Sequence, residues 1–238
     1  MGIPIQAAPT YTCVLSDGRE VKFRPFLVKE QKVLTIAKES ESTKQTVESI
    51  SAMIKAVTQD FPENDDLDLN DLPMYDIEYL FIKIRAVSVG ETVKLGLRCQ
   101  ETGCQGTGEV TLNLEEVEVT SGAERDPKIM ISDDVGVILR DPKFGDMKHF
   151  DNVDEIDQPV EVLKGSIVSI FDQESSYDAD DVSKKDMVDF VDSLTFKQVE
   201  LLGGYFDGLP KLEHEVDFTC KICETQQSKT ISGLNSFF

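Results

Sequence analysis

Two pairs of cysteines carry the chemistry most readily read from this chain. Cys99 and Cys104 enclose Gln-Glu-Thr-Gly, and Cys220 and Cys223 enclose Lys-Ile. Thiolate is a soft ligand, and four thiolates complete the tetrahedral shell that Zn²⁺ adopts in structural sites. Two cysteines two to four residues apart form one half of such a site, a knuckle. One knuckle supplies only two ligands, so each pair is a candidate complement to the other.

The separation is unusual. Residues 105–219 lie between the pairs, whereas the two halves of a zinc ribbon commonly stand about 15–20 residues apart. Loop closure costs grow only logarithmically with length, so an inserted unit is tolerable. The spacing thus predicts one structural Zn²⁺ per chain on Cys99, Cys104, Cys220 and Cys223, tying the residue-99 region to the closing hairpin. Two other readings stay open: unrelated free thiols, and a redox-active Cys-x-x-Cys. A redox motif places its first cysteine at a helix N-terminus, which lowers the thiol pKa, and "FTCKICETQQSKT" has no helical pattern after the cysteines. Four thiolates on Zn²⁺ leave net negative charge, for which Arg98, Lys221 and Lys229 are nearby cations or simply solvated ones. His214 is a further ligand candidate, and Cys13 sits in a strand pattern as a small core residue.

The elements that must position these thiols follow from periodicity. Alternation flanks both pairs: Val93, Leu95 and Leu97 before the first, Val110, Leu112 and Leu114 after it, and "HEVDFT" and "SKTISGL" around the second. Period two on both sides predicts hairpins with cysteines at their tips. Before them, residues 11–24 read as a hairpin turning at Asp17-Gly18. Helical spacing follows in "LVKEQKVLTIAKES", at Val47, Ile50, Met53, Ile54 and Val57 within 44–58, and at Ile77, Leu80, Phe81 and Ile84 between Pro73 and Gly90. Residues 129–139 read as two short strands turning at Asp133-Asp134 or as one bent strand. Residues 144–159 read as an exposed acidic connection, 160–171 as a helix, 172–186 as polar loop, and "KDMVDFVDSLT" as a short helix. Thr195 and Gln198 have capping-box spacing for a last helix ending at Gly208 and Pro210.

The expected fold class is therefore α+β, with an N-terminal β-hairpin and helices, zinc-ribbon-like knuckle hairpins, and a helical insertion between the two cysteine pairs. The expected units are residues 1–92, a discontinuous module of 93–120 with 211–238, and a mixed or helical insertion of 121–210.

Composition excludes several classes. With 24 basic against 45 acidic residues and a net charge of -21, the surface repels phosphate backbones, so no nucleic-acid partner is expected. No run of about 18 apolar residues is available to span a bilayer, and the start of the chain has no secretory pattern, so no membrane partner and no export are expected. The runs Glu63–Asp71, Asp151–Asp157 and Asp178–Asp181 lack the glycine and closing glutamate of a calcium loop. Phosphate-loop, dinucleotide, zincin and nucleophile-elbow motifs are absent, and an enzyme is not expected.

Several stretches carry a family likeness: "VKFRPFLVKEQKVLTIAKES", "DIEYLFIKIRAVSVGETVKLGLRC", "HEVDFTCKIC" and "GLNSFF". Together they resemble the baseplate hub subunit and hub-assembly family of T-even-like contractile-tailed bacteriophages. The likeness is greatest over the first 120 residues and weaker in the layout of the last 40. It implies a non-enzymatic late protein of tail morphogenesis, a hub component or assembly factor, present in the host cytoplasm during assembly and in the virion tail baseplate. The implied partners are other baseplate hub or tail proteins. Phe237 and Phe238 are candidates either to dock in a partner's pocket or to anchor the chain's own core. A zinc-ribbon nucleic-acid or transcription-associated factor and a Cys-x-x-Cys thiol oxidoreductase are the competing functions.

Overall fold

The turn at Asp17-Gly18 forms as expected: Gly18 takes φ +85° and joins β1 (Tyr11–Val14) to β2 (Glu20–Phe23) in an antiparallel pair. The coordinates are a computed structural model that describes residues 7–28, 30, 43–149, 153 and 157–233. Most of the expected helix at "LVKEQKVLTIAKES", and Phe237 and Phe238, lie outside the described residues. The hairpin folds its apolar face, Cys13, Val21 and Phe23, onto helix α1 (Thr43–Thr58), which presents Val47, Ile50, Met53, Ile54 and Val57. This helix keeps its apolar residues on one stripe, the pattern of an element with one wet face.

Helix α2 (Met74–Val89) is different. It starts after Pro73, which loses no hydrogen bond there, and stops at Gly90, whose φ of +141° suits glycine. Ile77, Leu80, Phe81 and Ile84 fill the first core, while Ile82 and Ala86 fill a second one on the opposite side. An apolar surface around most of its circumference makes α2 the wall between two cores. Asp76, in its first turn and 1% exposed, accepts from the Ser16 amide (2.9 Å) and hydroxyl (2.8 Å), pinning the first hairpin to the helix start. Burial raises the Asp76 pKa against those two hydrogen bonds.

The second core lies between α2 and the hairpin β3 (Thr92–Arg98) with β4 (Thr107–Asn113), then the short β5 (Glu118–Val119), which pairs with Leu212 and Glu213. The segment that follows is mixed rather than mainly helical. Strands β6 (Lys128–Met130) and β7 (Gly136–Leu139) turn at Asp133-Asp134, the two-strand alternative rather than one bent strand. Helix α3 (Gln158–Ser166) leads into β8 (Ile167–Phe171) and β9 (Ser176–Asp178), giving one antiparallel sheet in the order β6-β7-β8-β9. Helices α4 (Lys184–Asp192) and α5 (Phe196–Asp207) pack Val191 and Leu202 with Val137, Leu139, Leu163 and Ile167 in a third core. The capping box of α5 forms, with the Thr195 amide donating to Gln198 Oε1 at 2.8 Å. Strands β10 (Leu212–Thr219) and β11 (Gln226–Ser232) return the chain to the second core.

Three expectations need correction. The helix predicted over 160–171 ends at Ser166, because Ile167, Val168, Ile170 and Phe171 are better used as a strand between β7 and β9. The polar loop over 172–186 contains β9, whose exposed residues follow β8 through backbone pairing alone. The acidic connection begins with a 3₁₀ turn at Phe144–His149, and Phe144 is 1% exposed in the first core.

One carboxylate ties the start of α2 to the third core. Asp141 Oδ1 accepts from Arg125 Nη1 (2.6 Å) and the Tyr205 hydroxyl of α5 (2.7 Å). Its Oδ2 accepts from the Tyr75 hydroxyl of α2 (2.9 Å) and Arg125 Nη2 (3.2 Å). Arg125 also lies 4.8 Å above the Tyr205 ring. Desolvation works against the Asp141 charge, but Arg125 and the two hydroxyls together hold its pKa below the usual carboxylate range.

Candidate metal centre

Each cysteine pair occupies the bend of a hairpin whose register is set by the apolar alternation below it. In the first hairpin Arg98 pairs with Thr107 and the chain then leaves the ladder, closed by Cys99 N–H donating to the Gly106 carbonyl at 2.8 Å. Gly103, at φ +82°, takes the left-handed turn that brings Cys104 back toward Cys99. In the second hairpin Thr219 pairs with Gln226, and Cys220 N–H donates to the Thr225 carbonyl at 3.1 Å. The turn is completed by Glu224 at φ 56°, whose amide donates to the Cys220 carbonyl at 3.1 Å.

The two bends meet because the first hairpin carries glycine where the second approaches. A Cβ on Gly106 would stand 2.4 Å from Cys220 Sγ, and one on Gly108 would stand 2.4 Å from the Phe218 ring. The contact is stitched by Lys221 N–H donating to the Thr107 carbonyl at 2.9 Å.

All four sulfurs consequently lie within 4.8 Å of one another. Cys99 and Cys223 are 3.6 Å apart and Cys104 and Cys220 are 3.8 Å apart, in both cases across the two hairpins and too far for a disulfide bond. Four sulfurs at tetrahedral positions about 2.3 Å from a Zn²⁺ would be about 3.8 Å from each other. The donor set and its spacing fit such an ion. Cys220 is buried at 1% exposure and Cys223 is exposed, so the cluster lies at the edge of the second core, below a wet tip.

Amides and a hydroxyl donate hydrogen bonds to the sulfurs. Amides of Glu101, Gly106 and Ile222 donate to Cys99, Cys104 and Cys220 at 3.4 Å each, and Gln227 Nε2 donates to Cys99 at 3.0 Å. Backbone donors of this kind steady thiolates and orient them on a metal. Lys221, read from sequence as either a partner of the thiolates or a solvated charge, pairs with Glu109 at 2.6 Å on the surface. The hydroxyl and amide of Thr225 draw the Cys223 thiol down to about 6. Cys104 goes the other way, to about 12: the Gly106 amide lowers it, but desolvation and the neighbouring thiols outweigh that donor. Four thiolates gathered this closely would need a cation to balance their charge.

Sequence reasoning placed all four cysteines together, and the structure brings them together. His214 lies within β10 opposite Ile231 and is not among the clustered ligands. Gly106, Gly108, Thr225 and Gln227 were not identified in advance; the glycine pair in "CQGTG" was the one available signal. Cys13 is buried in β1 as expected, where desolvation pushes its thiol up to about 12. The acidic run at 63–71 has a structural use: Asp68 Oδ1 accepts from the Asn70 amide at 2.9 Å and caps a 3₁₀ turn. Among the described residues, no helix is long and apolar enough to cross a membrane.

No curated protein and no solved structure matches this chain. A family model does: the one described as T4 bacteriophage base plate protein aligns with residues 8–238. The chain belongs to the T4 bacteriophage base plate protein family.

Proposed function

We propose that this baseplate protein acts in or on the central hub of the baseplate, as a component or a chaperone-like assembly factor without enzymatic activity, and that one structural Zn²⁺ staples it together. Family membership implies association with other baseplate proteins and a place in the virion tail baseplate. The hub assignment draws further support from the residue blocks "DIEYLFIKIRAVSVGE" and "HEVDFTCKIC".

The staple rests on one observation. Four thiols from two hairpins, separated in sequence by residues 105–219, point into a volume the size of a metal shell. In this reading Cys99, Cys104, Cys220 and Cys223 hold the ion and Zn²⁺ supplies folding free energy instead of chemistry. The same reading makes 93–120 with 211–238 one module, 121–210 its insertion and 1–92 the leading unit. The three apolar clusters support that division, with α2 shared between the first two.

Elemental analysis of the purified chain tests the staple: about one zinc per chain is expected, and none in Cys99→Ser or Cys220→Ser. Metal-free wild-type protein with reactive thiols would sink it. The hub role is tested by locating the tagged chain in purified baseplates and in hub intermediates; a chain found only in the peripheral wedges is incompatible with it.

A further inference from the structure

The four thiols differ in their access to solvent. Cys223 is exposed and Cys99 half-buried, whereas Cys220 is 1% exposed. Gly106 lies across the inner pair: a Cβ there would stand 2.4 Å from Cys220 Sγ and 3.2 Å from Cys104 Sγ. The outer pair, Cys99 and Cys223, is 3.6 Å apart and comes from different hairpins. Gln227 of β11 holds Cys99 in place, donating through Nε2 to its sulfur at 3.0 Å and accepting the Gln100 amide through Oε1 at 2.9 Å.

A disulfide needs its sulfurs about 2.05 Å apart, so the outer pair has about 1.5 Å to close, less than the travel of a sulfur between two rotamers. The inner pair starts from a similar separation, 3.8 Å, but its Cys220 is closed to an oxidant in solution.

We infer that the cluster is an oxidation site, at which a peroxide joins Cys99 to Cys223 by a disulfide across the two knuckles and ties the hairpins covalently where no metal does. Cys223, the exposed thiol, attacks one peroxide oxygen as its thiolate; the O–O bond breaks, and hydroxide leaves and takes up a proton as water. The Cys99 thiolate then attacks the Cys223 sulfenic sulfur, the S–O bond breaks, and the second water forms. In all, two thiols give up two protons and two electrons, and one peroxide becomes two waters.

This pairing is unlike that of a Cys-x-x-Cys oxidoreductase, which would join Cys220 to Cys223 and leave the hairpins untied. A bond between Cys99 and Cys223 spans 124 positions, and a link that closes a long loop restricts the unfolded chain more than a short one does. A chain that leaves the host in a tail baseplate passes from a reducing setting to an oxidising one, in which such bonds persist. The disulfide follows from the sulfur positions alone. Only the loss of the ion on oxidation rests on the zinc reading, because two of its four ligands are consumed.

The test is treatment of the full chain with hydrogen peroxide, both as purified and after chelation, followed by alkylation and peptide mapping without reduction. A Cys99–Cys223 linked peptide is expected as the main product in both samples, removed by dithiothreitol, with Cys13, Cys104 and Cys220 open to alkylation once the chain is denatured. Cys223→Ser is expected to abolish it and Cys104→Ser to keep it. In the chelated sample, oxidation is expected to raise the thermal midpoint by about 5 °C or more. A main product joining Cys220 to Cys223 in the purified sample, or sulfinic acid without a crosslink, overturns the inference, as does a crosslink that leaves the midpoint unmoved. Zinc is followed in the same reaction. A Cys99–Cys223 link in a chain purified without zinc sinks the zinc reading and leaves the disulfide standing; zinc release with crosslinks elsewhere does the reverse.

Discussion

Two polar clusters tie remote parts of this chain together, and they are built on opposite principles. At Asp141, one carboxylate meets four donor atoms supplied by Arg125, Tyr75 and Tyr205, so donors and acceptors balance within the protein. At the knuckles, four sulfurs face each other, supplied with single amides, one Gln227 side chain and one hydroxyl. The first cluster is electrically complete. The second has surplus acceptors converging on a point, and such a point calls for a cation. The difference shows why a polar network without a metal can be read directly as a stability element, whereas the thiol cluster has to be read together with an ion.

The most severe way to break the comparison is to withhold the proposed ion. Chelation, or Cys220→Ser, is expected to lower the thermal midpoint by more than about 10 °C, since structural zinc contributes folding free energy directly. Calorimetry with and without chelator measures it, and the Asp141 cluster should give no such response. Next in size, Asp141→Ala leaves Arg125 and two hydroxyls without their acceptor in a site where the Arg125 and Asp141 side chains are 18% and 22% exposed. A loss of about 2–4 kcal/mol is expected by denaturant unfolding, with zinc content unchanged.

Acid separates the two clusters by pH window. The Asp141 pKa is lowered on folding, so its contribution is fully present above the ordinary carboxylate value, about 3.9, and is lost as pH falls through the lower folded value. Metal ligands must be deprotonated, so protons compete with zinc at a higher pH. Released zinc, followed with a colorimetric chelator, should therefore appear before the Asp141 linkage fails. If both transitions coincide, the clusters are not independent.

Smaller changes sharpen the picture. Gly106→Ala puts a methyl group 2.4 Å from Cys220 Sγ, and is expected to cost about 1–3 kcal/mol and to weaken metal binding about tenfold. Lys221→Ala removes an ion pair whose side chains are 59% and 68% exposed, and neither the thermal midpoint nor bound zinc is expected to move.

Legibility in the sequence divides along the same line. The cysteine pairs were readable because residue type, spacing and flanking period-two alternation agreed at each one. The Asp141 cluster was not: Tyr75, Arg125, Asp141 and Tyr205 come from four separate segments, and none has a neighbour that marks it. Gly106 and Gly108 are required by the position of Cys220 and Phe218, which no local pattern contains. Helix α2 was found by its Ile77, Leu80, Phe81 and Ile84 stripe, but its second buried side, Ile82 and Ala86, blurs the periodicity by which such helices are recognised. Strand β8 was mistaken for helix because its apolar run follows α3 without a polar break, and only pairing with β7 and β9 separates the two.

The order in which the ligands are synthesised sets a schedule. Cys104 and Cys220 are 116 positions apart, so at translation rates of about 5–20 residues per second the first knuckle leaves the ribosome about 6–23 s before the second. During that interval a nascent chain carries two thiolates and a half-built shell, while the first hairpin and α1 are already able to pack. Under the proposed zinc staple, metal capture is then a late event in the life of the polypeptide, set by the free zinc the cell holds at that moment.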